Sequence, residues 1–270
     1  MDPIKQFELE RAANVEALGH DTELRNITSD WLLRSLPHRY SYHFTALGRP
    51  IIQYPQDMVA MQELIWEARP DLIIEAGIAH GGSLILHASM LALLDYTEAV
   101  EEGRALDPKI SHRRVIGLDI DIRAHNRSAI ESHPMAHLIT MIEGSSVSPE
   151  TIEAVHAIAR GYKRILVILD SNHTHEHVLA ELKAYAPLTS KGSYCVVFDT
   201  VVEDLPGTLY PDRPWAPGNS PKTAVWSYLE YLASNEVTAQ DGERLALAVE
   251  KSIENKLLIT VAPDGYLRRL

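Results

Sequence analysis

Cysteine is almost absent from this 270-residue chain: Cys195 is the only one. A single thiol makes neither an intrachain disulfide nor a cysteine-rich zinc centre, so a disulfide-stapled fold is excluded and a reducing compartment is expected. Basic residues are also in deficit, with 25 Lys and Arg against 37 Asp and Glu, a formal charge of −12. Nucleic acid is therefore not an expected partner, since a phosphate backbone calls for a basic face. No run approaches the roughly 18 apolar residues of a membrane span. The opening Met1-Asp2-Pro3-Ile4-Lys5 lacks the basic-then-apolar order of an export signal. A cytoplasmic protein without a membrane partner is the expectation.

The hydrophobic content of 46% is that of a globular chain, and at about 150 residues per domain the length allows one large domain or two small ones. Residues 1–44 read as a helical extension. Phe7, Val15 and Leu18, then Leu24, Ile27, Trp31 and Leu32, keep three- and four-residue spacing until Pro37. Such an extension serves as a lid or as a contact in a homo-oligomer, or simply packs on the core. From residue 45 to 270, strand and helix signals alternate. A helix capped by Asp57 stops at Pro70, and strand-like, largely apolar runs follow at 72–74, 115–118, 137–142, 164–169 and 194–198. Continuous apolar runs divided by helical stretches mark parallel strands covered on both faces, hence an α/β, Rossmann-like doubly wound sheet. Residues 256–262 and 266–270, separated by Pro263-Asp264-Gly265, predict a terminal antiparallel hairpin.

Ligands of open α/β sheets collect at the carboxyl ends of the strands. After the first strand stands Glu75-Ala76-Gly77-Ile78-Ala79-His80-Gly81-Gly82-Ser83. This glycine-rich turn into a helix is either a ligand loop or a structural turn, and it lacks the G-x-G-x-x-G spacing of a nicotinamide site. Asp119, at the next strand tip, is placed to accept ribose hydroxyls or to cap a helix. Gly144-Ser145-Ser146 offers hydroxyls to an adenine edge or a cap to the helix from Pro149. Asp170 and Asp199 end two neighbouring strands, with Glu203 and Asp204 in the following loop, an oxygen-rich set suited to Mg²⁺. His173 stands three residues beyond Asp170 and is the candidate general base. The alternating His173, His175 and His177 do not have convergent zinc-ligand spacing at a helix start. The long loop 200–222, rich in proline and aromatics, reads as a wall of an acceptor pocket.

Taken in order along residues 45–270, these segments resemble the cephalosporin hydroxylase family, which comprises class I S-adenosylmethionine (SAM)-dependent methyltransferases and includes rhamnosyl O-methyltransferases. Arg49 to Met58, Glu75 to Ser83, Gly117 to Ile122, Gly144 to Ser146, Leu169 to His173, Phe198 to Asp204, Pro221 to Val225 and Pro263 to Leu267 carry the likeness. It implies that Glu75, Gly77, Gly81 and Ser83 cradle the methionine part of SAM, Asp119 the ribose and Ser145 the adenine side. It further implies that Asp170 and Asp199 hold Mg²⁺. Some members carry two adjacent acids at the fifth strand tip, whereas Asp199 here lies between Phe198 and Thr200. Glu203 and Asp204 are then the candidates for a third ligand. The implied activity is SAM- and Mg²⁺-dependent O-methylation of a small-molecule acceptor, a hydroxyl of a sugar or a sugar-bearing natural product. Tailoring of a β-lactam or other antibiotic nucleus is the alternative, and a nicotinamide oxidoreductase the rival outside the family.

Overall fold

The computed structural model describes residues 2–270. In chain order, α1 (Pro3–His20) and α2 (Thr22–Ser35) precede a small hairpin of β1 (Phe44–Ala46) and β2 (Arg49–Ile51). The main unit runs α3 (Pro55–Ala68), β3 (Leu72–Ala76), α4 (Gly82–Glu102), β4 (Arg114–Asp119), α5 (Ala124–Glu131) and β5 (Ile139–Glu143). It continues with α6 (Pro149–Ala159), β6 (Ile165–Leu169), α7 (His175–Tyr185), β7 (Tyr194–Val197) and α8 (Pro221–Ser234). It closes with β8 (Leu247–Val249), α9 (Lys251–Leu257) and β9 (Tyr266–Arg269).

Seven strands form one sheet in the order β5-β4-β3-β6-β7-β9-β8. The five from β5 to β7 are parallel, and β9 is antiparallel to both its neighbours. The chain moves outward from β3 through β4 to β5 and then returns to β6 on the other side of β3. That reversal opens a crevice above the β3 and β6 tips, the usual ligand position of such sheets. Both faces are covered, as the continuous apolar runs require. Ile73, Val115 and Leu166 pack towards α3 and α4, while Leu72, Ile74, Ile116 and Val167 pack towards α6, α7 and α8. Each of these fully buried aliphatic side chains contributes roughly 1.5–3 kcal/mol.

Three expectations are corrected. The run 256–262 is not a strand: α9 occupies its start, and the partner of β9 at the sheet edge is β8. Thr260 and the Val261 N–H instead donate to the buried carboxylate of Asp57, which draws that backbone away from the ladder. Asp57 is accordingly not a cap. Tyr54 takes that position with Pro55 in the first turn, and the Asp57 carboxylate points inward to Thr260, Val261 and Tyr266. Strand β5 begins at Ile139 because residues 136–138 form a 3₁₀ turn. The β1–β2 hairpin was not anticipated. Its turn carries positive φ at both Leu47 (45°) and Gly48 (86°), and an x-Gly pair is its sequence signature.

The N-terminal helices are tied to the sheet unit through aromatic contacts. Trp31 meets Tyr40 edge-on at 5.1 Å, and Tyr40 meets Tyr54 at 5.5 Å. The Ser35 and Tyr54 hydroxyls lie 2.8 Å apart. No residue of α1 is buried. Among the described residues no helix is long and apolar enough to cross a membrane.

Candidate active site

The glycine-rich turn after β3 is shaped by close approach. Gly77 has φ +101°, and a Cβ there would lie 2.0 Å from the Asp170 carbonyl oxygen at the tip of the neighbouring strand. Gly81 has φ +80° and stands against Ile130, while a Cβ on Gly82 would meet the Pro50 carbonyl. Only glycine permits this combination of backbone angle and contact.

Neighbouring side chains clamp the turn. Asp119 accepts from the backbone N–H groups of Ile78 (2.9 Å) and Ala79 (3.3 Å) with one oxygen, and from Asp121 N–H with the other. Asn126 donates to the Ala79 carbonyl at 2.9 Å, and the Arg49 guanidinium donates to that of His80. Arg49 and Asn126 were not singled out from the sequence as site residues. Arg49 lay within a segment that carried the family likeness, and nothing local marked Asn126.

Glu75 and Ser83 have a different place from the one expected. Glu75 is buried at 2% exposure, and its two oxygens take Ser83 Oγ and His87 Nδ1, the latter at 2.7 Å. Their polar groups face each other beneath the turn and neither lines the cleft. His87 stands one helical turn after Ser83, a spacing that places both on one face.

Two neighbouring cavities lie above the strand tips. The smaller, about 140 Å³, is bounded by Gly77, Asp119, Ser145, Ser146, Ser171 and His177 among others. The larger, about 350 Å³, has Asp170, His173 and Asp199 at its floor, and Ser171 belongs to both. Aromatic side chains Tyr42, Tyr54, Tyr210 and Trp215 form much of its wall, and Leu32 and Leu36 close it from the N-terminal side. The long loop thus supplies part of the chamber wall through Tyr210 and Trp215, and α2 supplies Leu32.

Asp170, His173 and Asp199 each bring one donor atom within 4.8 Å of the others. His173 Nε2 is 3.1 Å from Asp199 Oδ2, and its ring meets Trp215 edge-on at 5.6 Å. Asp199 holds a left-handed conformation, φ 54°, which Asp tolerates better than most residues and which turns its carboxylate towards Asp170 and His173. Burial, together with the facing carboxylates of Asp199, Glu75, Glu181 and Asp57, pushes the Asp170 pKa well above the usual carboxylate range. No Lys or Arg among the described residues pairs with either Asp170 or Asp199. Two uncompensated carboxylates and an imidazole fit a divalent cation of the Mg²⁺ type.

Glu203 and Asp204 are not brought to this cluster. Glu203 accepts from Gly218 N–H and Ser220 Oγ, anchoring the entry to α8, and Asp204 pairs with Lys222. The three alternating histidines also diverge: His175 contacts Thr223, and His177 contacts Ser146 and Glu181.

Residues 38–270 match the family model described as Rhamnosyl O-methyltransferase/CmcI. This chain belongs to that family. A rhamnosyl O-methyltransferase of Mycobacterium bovis is 30% identical over 217 residues, covering 79% of this chain and 73% of that protein. One of Mycobacterium leprae is 30% identical over 163 residues, covering 60% and 62%. A structure of CmcI with SAH aligns over 84% of this chain and 82% of that one, with a TM-score of 0.50 at 19% identity, a likeness of fold. Within the rhamnosyl O-methyltransferase/CmcI family, then, this member sets its glycine turn and Asp119 at one cavity and the Asp170–His173–Asp199 cluster at a second, with Ser171 lining both.

Proposed function

We propose that this protein transfers the methyl group of SAM to a hydroxyl of a sugar or sugar-bearing natural product with the help of Mg²⁺. The observation that carries the reading is the convergence of Asp170, His173 and Asp199 at the floor of an aromatic-walled cavity that adjoins the glycine turn. The names of the relatives support the sugar hydroxyl as acceptor. Gly77 and Gly81 would give the cofactor close backbone approach, with Asp119 towards its ribose and Ser145 towards its adenine. Glu75 and Ser83, joined beneath the turn, would hold its shape. Asp170 and Asp199 would hold the cation.

SAM supplies an electrophilic methyl, and the cation supplies positive charge that lowers the pKa of a nearby hydroxyl. The chain's own residues position and deprotonate. The aromatic wall and the Leu32–Leu36 closure exclude water and align the acceptor, the entropic part of the rate gain. Asp199 beside Nε2 favours the His173 tautomer protonated there, which leaves Nδ1 to accept the proton of the hydroxyl.

A second assignment rests on the same 4.8 Å convergence: His173 as a third donor to the cation. The two roles of His173 separate experimentally. Steady-state methylation of rhamnosides with labelled SAM, run with titrated Mg²⁺, tests both. If His173 is the base, His173→Gln lowers kcat by roughly 10²–10⁴-fold at unchanged Mg²⁺ dependence. If it is a ligand, the Mg²⁺ requirement shifts upward. Methyl transfer indifferent to chelation and to Asp170→Asn would refute the proposed function.

A further inference from the structure

The smaller cavity has a floor whose hydrogen-bonding sense is fixed by a buried acid. Glu181, on α7, is fully buried, and its Oε1 accepts from Ser146 Oγ at 2.5 Å and from Ser171 Oγ at 2.6 Å. These serines come from the loops after β5 and β6, so one carboxylate joins two strand tips. Tyr185, one turn further along α7, donates to the Ser146 carbonyl and secures the same loop. His177, one turn earlier, brings Nε2 to 3.0 Å from Ser146 Oγ. Glu181 Oε2 has no hydrogen-bond partner.

A hydroxyl has one proton. Both serine protons are committed to Glu181, so His177 Nε2 must carry its own proton towards Ser146, and the serines turn only lone pairs to the cavity. Donation to a carboxylate also strengthens each hydroxyl as an acceptor. Beside them, Asn172 commits its Oδ1 to Thr174, which leaves its amide NH₂ as a donor in this lining, while the uncommitted Ser145 hydroxyl can turn either way. An acceptor pair next to one amide donor complements the edge of adenine, an exocyclic amine beside an unprotonated ring nitrogen. Hypoxanthine presents the reverse, a carbonyl beside a ring N–H.

We propose that Glu181, acting through Ser146 and Ser171, makes this cavity a selector for a 6-aminopurine and against a 6-oxopurine. The proposal rests on the cofactor reading above and adds to it the element that discriminates the base. Glu181 is a positioning residue in this scheme, since the serines are the groups that meet the ligand.

The test is calorimetric binding of S-adenosylhomocysteine and of its deaminated analogue, S-inosylhomocysteine, to the full-length protein, with no turnover involved. The wild type should prefer the adenosyl compound by roughly 30-fold or more, because the oxo compound leaves buried acceptors unpaired. Glu181→Gln places an amide donor among the serines and frees a serine proton, so the preference should shrink to within about threefold. Ser171→Ala, which removes one acceptor and leaves Glu181 in place, should reduce it in part and serves as the second variant should Glu181→Gln not fold. Equal wild-type binding of the two compounds, or an undiminished preference in a folded Glu181→Gln protein, would overturn the inference alone. No binding of either compound would overturn the cofactor reading, and the inference with it.

Discussion

The Asp170 carbonyl oxygen occupies the space that a side chain on Gly77 would need: a Cβ there would come within 2.0 Å of it. One contact therefore couples the glycine turn after β3 to the strand tip that bears the acidic cluster. Gly77→Ala should strain the turn at its φ of +101° and push the two tips apart. The expected cost is roughly 2–5 kcal/mol, read by urea denaturation, with at least a tenfold loss of S-adenosylhomocysteine affinity. Wild-type affinity in this variant would show that the close approach has no part in binding.

Asp170 stands among acids with no Lys or Arg partner, and this makes the effect of neutralising it divide in two. Asp170→Asn should abolish Mg²⁺-dependent methyl transfer, yet in chelator the variant should melt no lower than the wild type, because a crowded negative charge has been removed. Glu203→Gln and Asp204→Asn, whose carboxylates lie on the α8 entry and on Lys222, should keep the wild-type Mg²⁺ requirement. A raised requirement in either would return that residue to the metal site.

Asp57 predicts a pH dependence of stability that is independent of catalysis. Burial pushes its pKa up to about 6, against an ordinary 3.8, although Thr260, Val261 and Tyr266 all donate to it. The folded state therefore favours the protonated acid. Its contribution is fully present below about pH 3.8, declines as pH rises towards 6, and is absent above that. Set against Asp57→Asn, whose amide does not titrate, the wild type should lose about 3 kcal/mol across this window. Parallel stability curves from pH 3.5 to 7 would contradict the assignment.

Arg113, immediately before β4, is fully buried, pairing with Asp95 at 2.9 Å and with Glu98, and donating to the Pro70 carbonyl at 2.7 Å. Arg113→Met leaves Asp95 buried without a counter-charge. Removing one partner of such a group costs about 3–5 kcal/mol. Chemical denaturation measures it, and a loss below 1 kcal/mol would mean that water reaches the pair.

The strands were legible because a parallel strand covered on both faces must be apolar throughout, and 72–74, 115–118 and 165–169 are. The strand-tip acids were legible for a related reason: a carboxylate that ends a buried run lies in the ligand row wherever the sheet is wound this way. Residues 256–262 misled because a short apolar run has no length or periodicity that separates a strand from packed irregular chain. Its course depended on Asp57, some two hundred residues earlier, whose buried carboxylate claims the Thr260 hydroxyl and the Val261 N–H.

Composition and order along the chain determined by themselves that this protein is a doubly wound α/β sheet with a glycine turn and acids at its carboxyl edge. Those are consequences of local hydrophobic pattern and strand succession. Tertiary structure alone decided which donors meet. It placed His173 with Asp170 and Asp199, sent Glu203 and Asp204 to other partners, joined Glu75 to Ser83 beneath the turn, and brought Ser146 and Ser171 to Glu181. A hydrogen bond acts over about 3 Å, and residues far apart in sequence come that close only once the whole sheet and its loops have packed.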